Sequence, residues 1–133
     1  FCMEKAIEHA GITKESVDYI NTHGTSTGMG DPIETNAIAE LFSEHAGEMA
    51  VTSTKGATGH MMGAGGITEA ITCIQCIRTG VVPPTLNLDE LDEKCASLNY
   101  VPHKAIEKEV RVAMSNSFGF GGQNSSVIFC RYE

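Results

Sequence analysis

Val17-Asp-Tyr-Ile-Asn-Thr-His23 alternates apolar and polar side chains, then runs into Gly24-Thr-Ser-Thr-Gly-Met-Gly30. A period of two is the pattern of a half-buried strand, and the small residues after it read as a loop. Asp31-Pro-Ile-Glu34 then starts a helix: Asp31 is a capping side chain, Pro32 suits the first helical position, and Glu34 follows where a capping box needs it. Ile33, Ala37, Ile38, Leu41 and Phe42 recur at helical spacing, so this helix is expected to pack that face inward. Strand, glycine loop and helix in this order are the unit of an α/β protein.

Outward from that unit the same alternation continues. Phe1 to Ala10 reads as the end of an amphipathic helix closed by Gly11, and it is too charged for a signal peptide. A chain that opens inside a helix without an initiator Met is expected to be a piece of something longer. Met49 to Ser53 is a short strand, and Lys55 to Gly66 is glycine-rich. Ile67 to Arg78 is a helix apolar nearly all round, which predicts burial; Gly80 ends it and Pro83-Pro84 bars its continuation. Leu86 to Val110 is irregular, with a short helix expected near Asp89–Lys94 and a strand near Leu98–Val101. Arg111–Asn116 and Ser125–Arg131 are strands flanking Phe118-Gly-Phe-Gly-Gly-Gln123, a connection so short that it implies an antiparallel hairpin. The expectation is one domain over 1–133, α/β in class, with a mixed sheet.

Composition removes several functions. A net charge of −8 with no basic stripe argues against nucleic acid as a partner. No apolar run reaches the length of about 18 residues that suggests a transmembrane helix. Five cysteines at irregular spacings do not form a disulfide framework, and a reducing cytoplasm is the natural compartment. Cys73-x-x-Cys76 lies inside an apolar helix with no second pair, so these read as structural thiols rather than a zinc site.

The candidates for chemistry lie in the loops. His23 ends a strand and opens a loop of small residues, where α/β proteins place reactive groups; taken alone it is equally a histidine satisfied by a backbone carbonyl. Lys55 and His60 lie among Gly56, Gly59, Gly63, Gly65 and Gly66, which permit close approach by a ligand or another backbone. The segment fits neither the Walker pattern nor the dinucleotide-binding spacing, since Thr68 stands where the third glycine would be. Glu69, on the apolar helix, needs a cation if buried, and Lys55 is the natural partner; the alternative is a solvent-facing Glu69 in the first turn. The glycine turn around Phe120 can aim a backbone N–H at an oxyanion while the phenylalanine swings, or is an ordinary hairpin with core aromatics.

Taken in order, Asn21-Thr-His-Gly-Thr-Ser-Thr27, Ser53-Thr-Lys-Gly-Ala-Thr-Gly-His60 and Asn116-Ser-Phe-Gly-Phe-Gly-Gly122 resemble the C-terminal motifs of β-ketoacyl-[acyl-carrier-protein] synthases, and Val82-Pro-Pro-Thr-Leu-Asn-Leu88 resembles another stretch of them. The likeness covers the whole chain and is nearest to synthase II. It implies a thiolase-like fold, with this chain as one mixed-sheet half of a layered αβαβα architecture and the nucleophilic cysteine expected in the other half, which these residues do not match. It further implies a condensing enzyme of fatty-acid biosynthesis, a cytoplasmic homodimer without cofactor, with acyl- and malonyl-loaded acyl carrier protein as partner. By the same resemblance His23 and His60 donate hydrogen bonds to the malonyl thioester oxygen, and Lys55 paired with Glu69 orients the site. Phe120 gates the acyl pocket and lends its N–H to the oxyanion hole. Some members bind a monovalent cation near residues matching Asn21, Glu69 and Ser115. The fragment alone is expected to be inactive.

Three alternatives remain at this stage. Polyketide ketosynthase domains share the motifs. Thiolases place a catalytic cysteine in the terminal glycine loop, and Ser117 to Asn124 contains none. A non-catalytic thiolase-fold partner subunit is the third.

Overall fold

A four-stranded sheet in the order β2-β1-β5-β6 organises the computed structural model, which describes residues 1–132. The chain runs α1 (Cys2–Ala10), β1 (Tyr19–Asn21), α2 (Gly30–Phe42), β2 (Ala50–Thr52), α3 (Lys55–Thr58), α4 (Gly65–Thr79), β3 (Val81–Val82), β4 (Ile106–Glu107), β5 (Val112–Gly119) and β6 (Gln123–Cys130). β1 pairs parallel with β2 and β5, and β6 returns antiparallel along β5. The mixed sheet and hairpin follow the sequence pattern. The β3–β4 ribbon was not anticipated.

β1 is buried on both faces, as an inner parallel strand must be. Ile20 joins Ile7, Ile38, Phe42 and Met114 beneath α1 and α2, while Tyr19 joins Cys73, Cys76 and Ile77 of α4 on the other face. β1 is shorter than the alternation predicts because its ends are diverted. The Asp18 carboxylate accepts the Arg111 and Val112 N–H groups at 2.7 and 3.0 Å, and the His23 N–H leaves the ladder for the Glu34 carboxylate. Gly11 and Gly80 close α1 and α4 in left-handed conformation, φ 66° and 67°, as read from sequence.

Four expectations need correction. α2 starts at Gly30, whose N–H is held by Thr27 Oγ1 at 3.0 Å, while Asp31 Oδ1 reaches back to the Ser26 N–H. Its inward face carries Glu34, Thr35, Ile38 and Phe42, leaving Ile33 exposed along with Ala37, because the helix is turned to deliver Glu34 to the β1 end. α4 is not buried all round: Glu69, Cys73, Cys76 and Ile77 pack inward, whereas Ile67, Ile71 and Ile74 are 63%, 52% and 40% exposed. No helix forms at Asp89–Lys94; Asp92 instead holds a turn through the Lys94 and Cys95 N–H groups, and Leu98–Val101 contributes one bridge, Ala50 to Asn99. Phe118, a core aromatic on the reading of this segment as an ordinary hairpin, belongs to β5 and is only half-buried.

Candidate functional site

Ligand sites in open α/β sheets gather at the carboxyl ends of the parallel strands. β1, β2 and β5 point the same way, so the residues that follow them share one edge: His23 after β1, Ser53 and Lys55 after β2, Phe118 at the end of β5. Three segments far apart in sequence meet there because of the parallel pairing.

The His23 and His60 rings lie edge to face, centroids 5.5 Å apart with 85° between planes. Each ring has one nitrogen fixed by a backbone donor. The Phe118 N–H donates to His23 Nδ1 at 3.3 Å, and the Met62 N–H to His60 Nδ1 at 3.2 Å. In the neutral rings the proton therefore sits on Nε2 of both. Burial, then the Lys55 charge, then His60, lower the His23 pKa to about 4, so this imidazole is neutral at physiological pH. The pair offers two Nε2–H donors, the one on His23 carried by an uncharged ring.

Lys55 Nζ donates to Glu69 Oε1, with the two side chains 8% and 4% exposed. Of the two placements open for Glu69, the buried one is found: α4 turns it away from the exposed Ile67–Ile71–Ile74 row. Its other oxygen, Oε2, is buried without a hydrogen-bond partner among the described residues, and so is Asn21 Oδ1. Ser115 stands beside Asn21 in register on β5. Phe120 sits at the tip of the β5–β6 hairpin, 89% exposed, beside Gly121 and Gly122 at φ 85° and 81°. The phenylalanine that packs on the His23 ring is Phe118, centroids 5.1 Å apart.

Sequence reading missed the residue that ties these parts together. The Glu34 carboxylate, 3% exposed, accepts the His23 and Gly24 N–H groups at 3.0 Å each and Asn116 Nδ2 at 3.2 Å. Burial raises its pKa, against the lowering effect of these donors. The available signal was a carboxylate on an inward helical face, but the capping-box pattern accounted for it locally. Cys73 and Cys76 are thiols held protonated, pushed by burial to about 12 and about 11. A cleft of about 370 Å3 lined by Thr25, Ser53, Lys55, His60, Thr85 and Leu86 opens beside the pair.

The chain, with its mixed sheet, facing histidine pair and buried lysine–glutamate pair, has the fold of thiolase-like ketosynthases. The chain superposes at TM-score 0.92 on a beta-ketoacyl synthase from Burkholderia phymatum, 40% identical over 98% of this chain and 31% of that one. It superposes at 0.95 on a ketosynthase solved with its type II polyketide acyl-carrier protein, 31% identical over 99% of this chain and 32% of that one. Residues 1–89 match the family described as beta-ketoacyl synthase, C-terminal domain, and the chain belongs to that family. It is 48% identical to 3-oxoacyl-[acyl-carrier-protein] synthase 2 of Coxiella burnetii over 98% of its own length and 31% of that protein. The Rhizobium meliloti synthase 2 gives the same identity and the same shares. The chain thus spans about a third of the length of these curated relatives.

Proposed function

We propose that this chain is the C-terminal domain of a β-ketoacyl-[acyl-carrier-protein] synthase that elongates acyl chains in fatty-acid biosynthesis. The observation that carries the reading is the pair of facing imidazoles whose Nε2–H groups are both free of the backbone donors that fix Nδ1, with the His23 ring held neutral. Decarboxylation of a malonyl thioester breaks the bond to the carboxylate carbon, releases carbon dioxide and leaves an electron pair delocalised onto the thioester oxygen. Preorganised neutral donors stabilise that enolate most effectively in a site withdrawn from water. The enolate carbon then attacks an acyl thioester on a cysteine supplied from outside these residues, and the cysteine thiolate departs.

His23 and His60 are the proposed enolate donors, and Lys55, held by Glu69, fixes the local field beside His23. Phe120, free on its glycine turn, is the proposed gate and oxyanion N–H. The whole described sheet supports a single domain over 1–133, since β5 and β6 complete it from beyond residue 89. Acyl- and malonyl-loaded carrier protein are the proposed substrates, a homodimer the proposed assembly, and the cytoplasm the proposed compartment. The free cysteines fit a reducing setting, and the exposed Ile67–Ile71–Ile74 row fits further packing in the complete protein. A monovalent cation also suits the site: Asn21 Oδ1 and Glu69 Oε2 are buried oxygens in want of a partner, and with Ser115 they would hold it. Bound there, it would offset the charge of Glu69.

The test uses the full-length enzyme with malonyl-loaded carrier protein. His23→Ala and His60→Ala should each slow carbon dioxide release by about 100-fold or more while acyl loading onto the cysteine falls far less. Equal losses in both half-reactions would overturn the enolate role. The isolated 133-residue chain should show no condensation above background.

A further inference from the structure

Resting on the enolate-donor reading of His23, we infer that Glu34 is a positioning residue that holds His23 in its working place and ties it to the β5–β6 hairpin. His23 is gripped at two points. Its ring is fixed by the Phe118 N–H from β5, and its backbone N–H donates to Glu34 Oε1 at 3.0 Å. The next amide, Gly24 N–H, donates to Glu34 Oε2 at the same distance. Two successive main-chain donors on the two oxygens of one carboxylate fix both the position and the direction of the chain where it leaves β1. Asn116 Nδ2 adds a third donor, to Oε1, and Asn116 Oδ1 in turn accepts the Ser126 hydroxyl at 2.7 Å. One side chain on α2 therefore joins the β1 end, β5 and β6.

The chemistry of the donor set requires a carboxylate. Both oxygens accept, whereas an amide has one acceptor oxygen and would turn its NH2 toward an N–H. The site also makes little sense as a stabilising device alone, because an acidic group in this burial is costly and an apolar residue would pack there without that cost. On the opposite side of the same loop Ser53 Oγ donates to Gly24 O at 2.8 Å and accepts the Lys55 N–H at 3.3 Å. The Gly24 peptide is thus held on its N–H by α2 and on its C=O by the segment that carries Lys55. Glu34 acts through His23 and touches no reacting atom.

The experiment compares full-length wild type, His23→Ala and Glu34→Gln in three measurements: melting temperature, acyl loading onto the cysteine, and kcat and KM for malonyl-carrier decarboxylation. Glu34→Gln should load acyl groups within about threefold of wild type and keep KM within the same range, yet lose roughly 100-fold in decarboxylation kcat, since a small misplacement suffices for that. Decarboxylation near wild type in Glu34→Gln, with His23→Ala impaired, overturns the positioning role and leaves the enolate reading standing. A uniform loss in both half-reactions with a lowered melting temperature also overturns it, making Glu34 a core group only. Wild-type decarboxylation by His23→Ala overturns the enolate reading itself, and this inference with it. If Glu34→Gln fails to fold, Asn116→Ala removes one of the three donors while leaving the His23–Gly24 clamp, and the same criterion applies: a selective loss in decarboxylation supports the coupling, a uniform loss refutes it.

Discussion

Lys55 and Glu69 form an ion pair across the start of α4, with both side chains nearly closed to solvent. Breaking one side of such a pair strands a charge, at a cost of roughly 3–5 kcal/mol. Lys55→Met in the full-length enzyme should therefore lower the melting temperature clearly, and Lys55→Met with Glu69→Leu should recover part of the loss. Melting curves without recovery would show that the pair contributes little to stability.

His23 gives a pH prediction with a definite sign. Its folded pKa, about 4, lies below the ordinary 6.5, so the unfolded ring takes up a proton first as pH falls. The contribution of the neutral ring to stability is complete above 6.5 and is lost on descending toward 4. Histidine-selective NMR should place the His23 midpoint near 4, and Lys55→Met should move it upward by removing a nearby positive charge. A wild-type midpoint near 6.5 would contradict the enclosed neutral imidazole.

Gly24 is held where a side chain does not fit. Its φ is +39°, and a Cβ would lie 2.6 Å from both Ser53 Cβ and Thr22 Oγ1. Gly24→Ala should destabilise by about 1–3 kcal/mol through strain and overpacking. Gly28→Ala, in open space without positive φ, should stay within about 0.5 kcal/mol. Equal melting temperatures for the two variants would refute the tight fit.

The two aromatics of the terminal hairpin should separate. Phe120 is 89% exposed, so Phe120→Ala should leave stability within about 0.5 kcal/mol while blurring the order of acyl loading and malonyl entry. Phe118 packs on the His23 ring, so Phe118→Ala should lower both stability and decarboxylation. Should Phe120→Ala melt as low as Phe118→Ala and load acyl groups normally, the gate is wrong.

Much of this was legible in the residues because it depends on local conformation. The left-handed glycines Gly11 and Gly80 stop helices wherever they occur, the alternation around Tyr19–Asn21 marks a strand, and a connection as short as Phe120-Gly121-Gly122 forces an antiparallel return. The candidate residues His23, Lys55, His60 and Glu69 were visible for the same reason: each stands out against small or apolar neighbours. What local pattern could not supply was direction. Glu34 reads as a capping-box residue until α2 is docked, after which its acceptors face the His23 and Gly24 amides. Ile67, Ile71 and Ile74 read as core until α4 lays only its Glu69–Cys73–Cys76 face on the sheet. Propensity and capping act over a few residues, so the sequence alone determined the kinds and ends of most elements. Which face each element turns inward is settled by non-local packing and by where buried donors and acceptors find each other. Parallel pairing of β1 with β2 and β5, which brings His23, Lys55 and Phe118 to one edge, belongs to the tertiary structure alone.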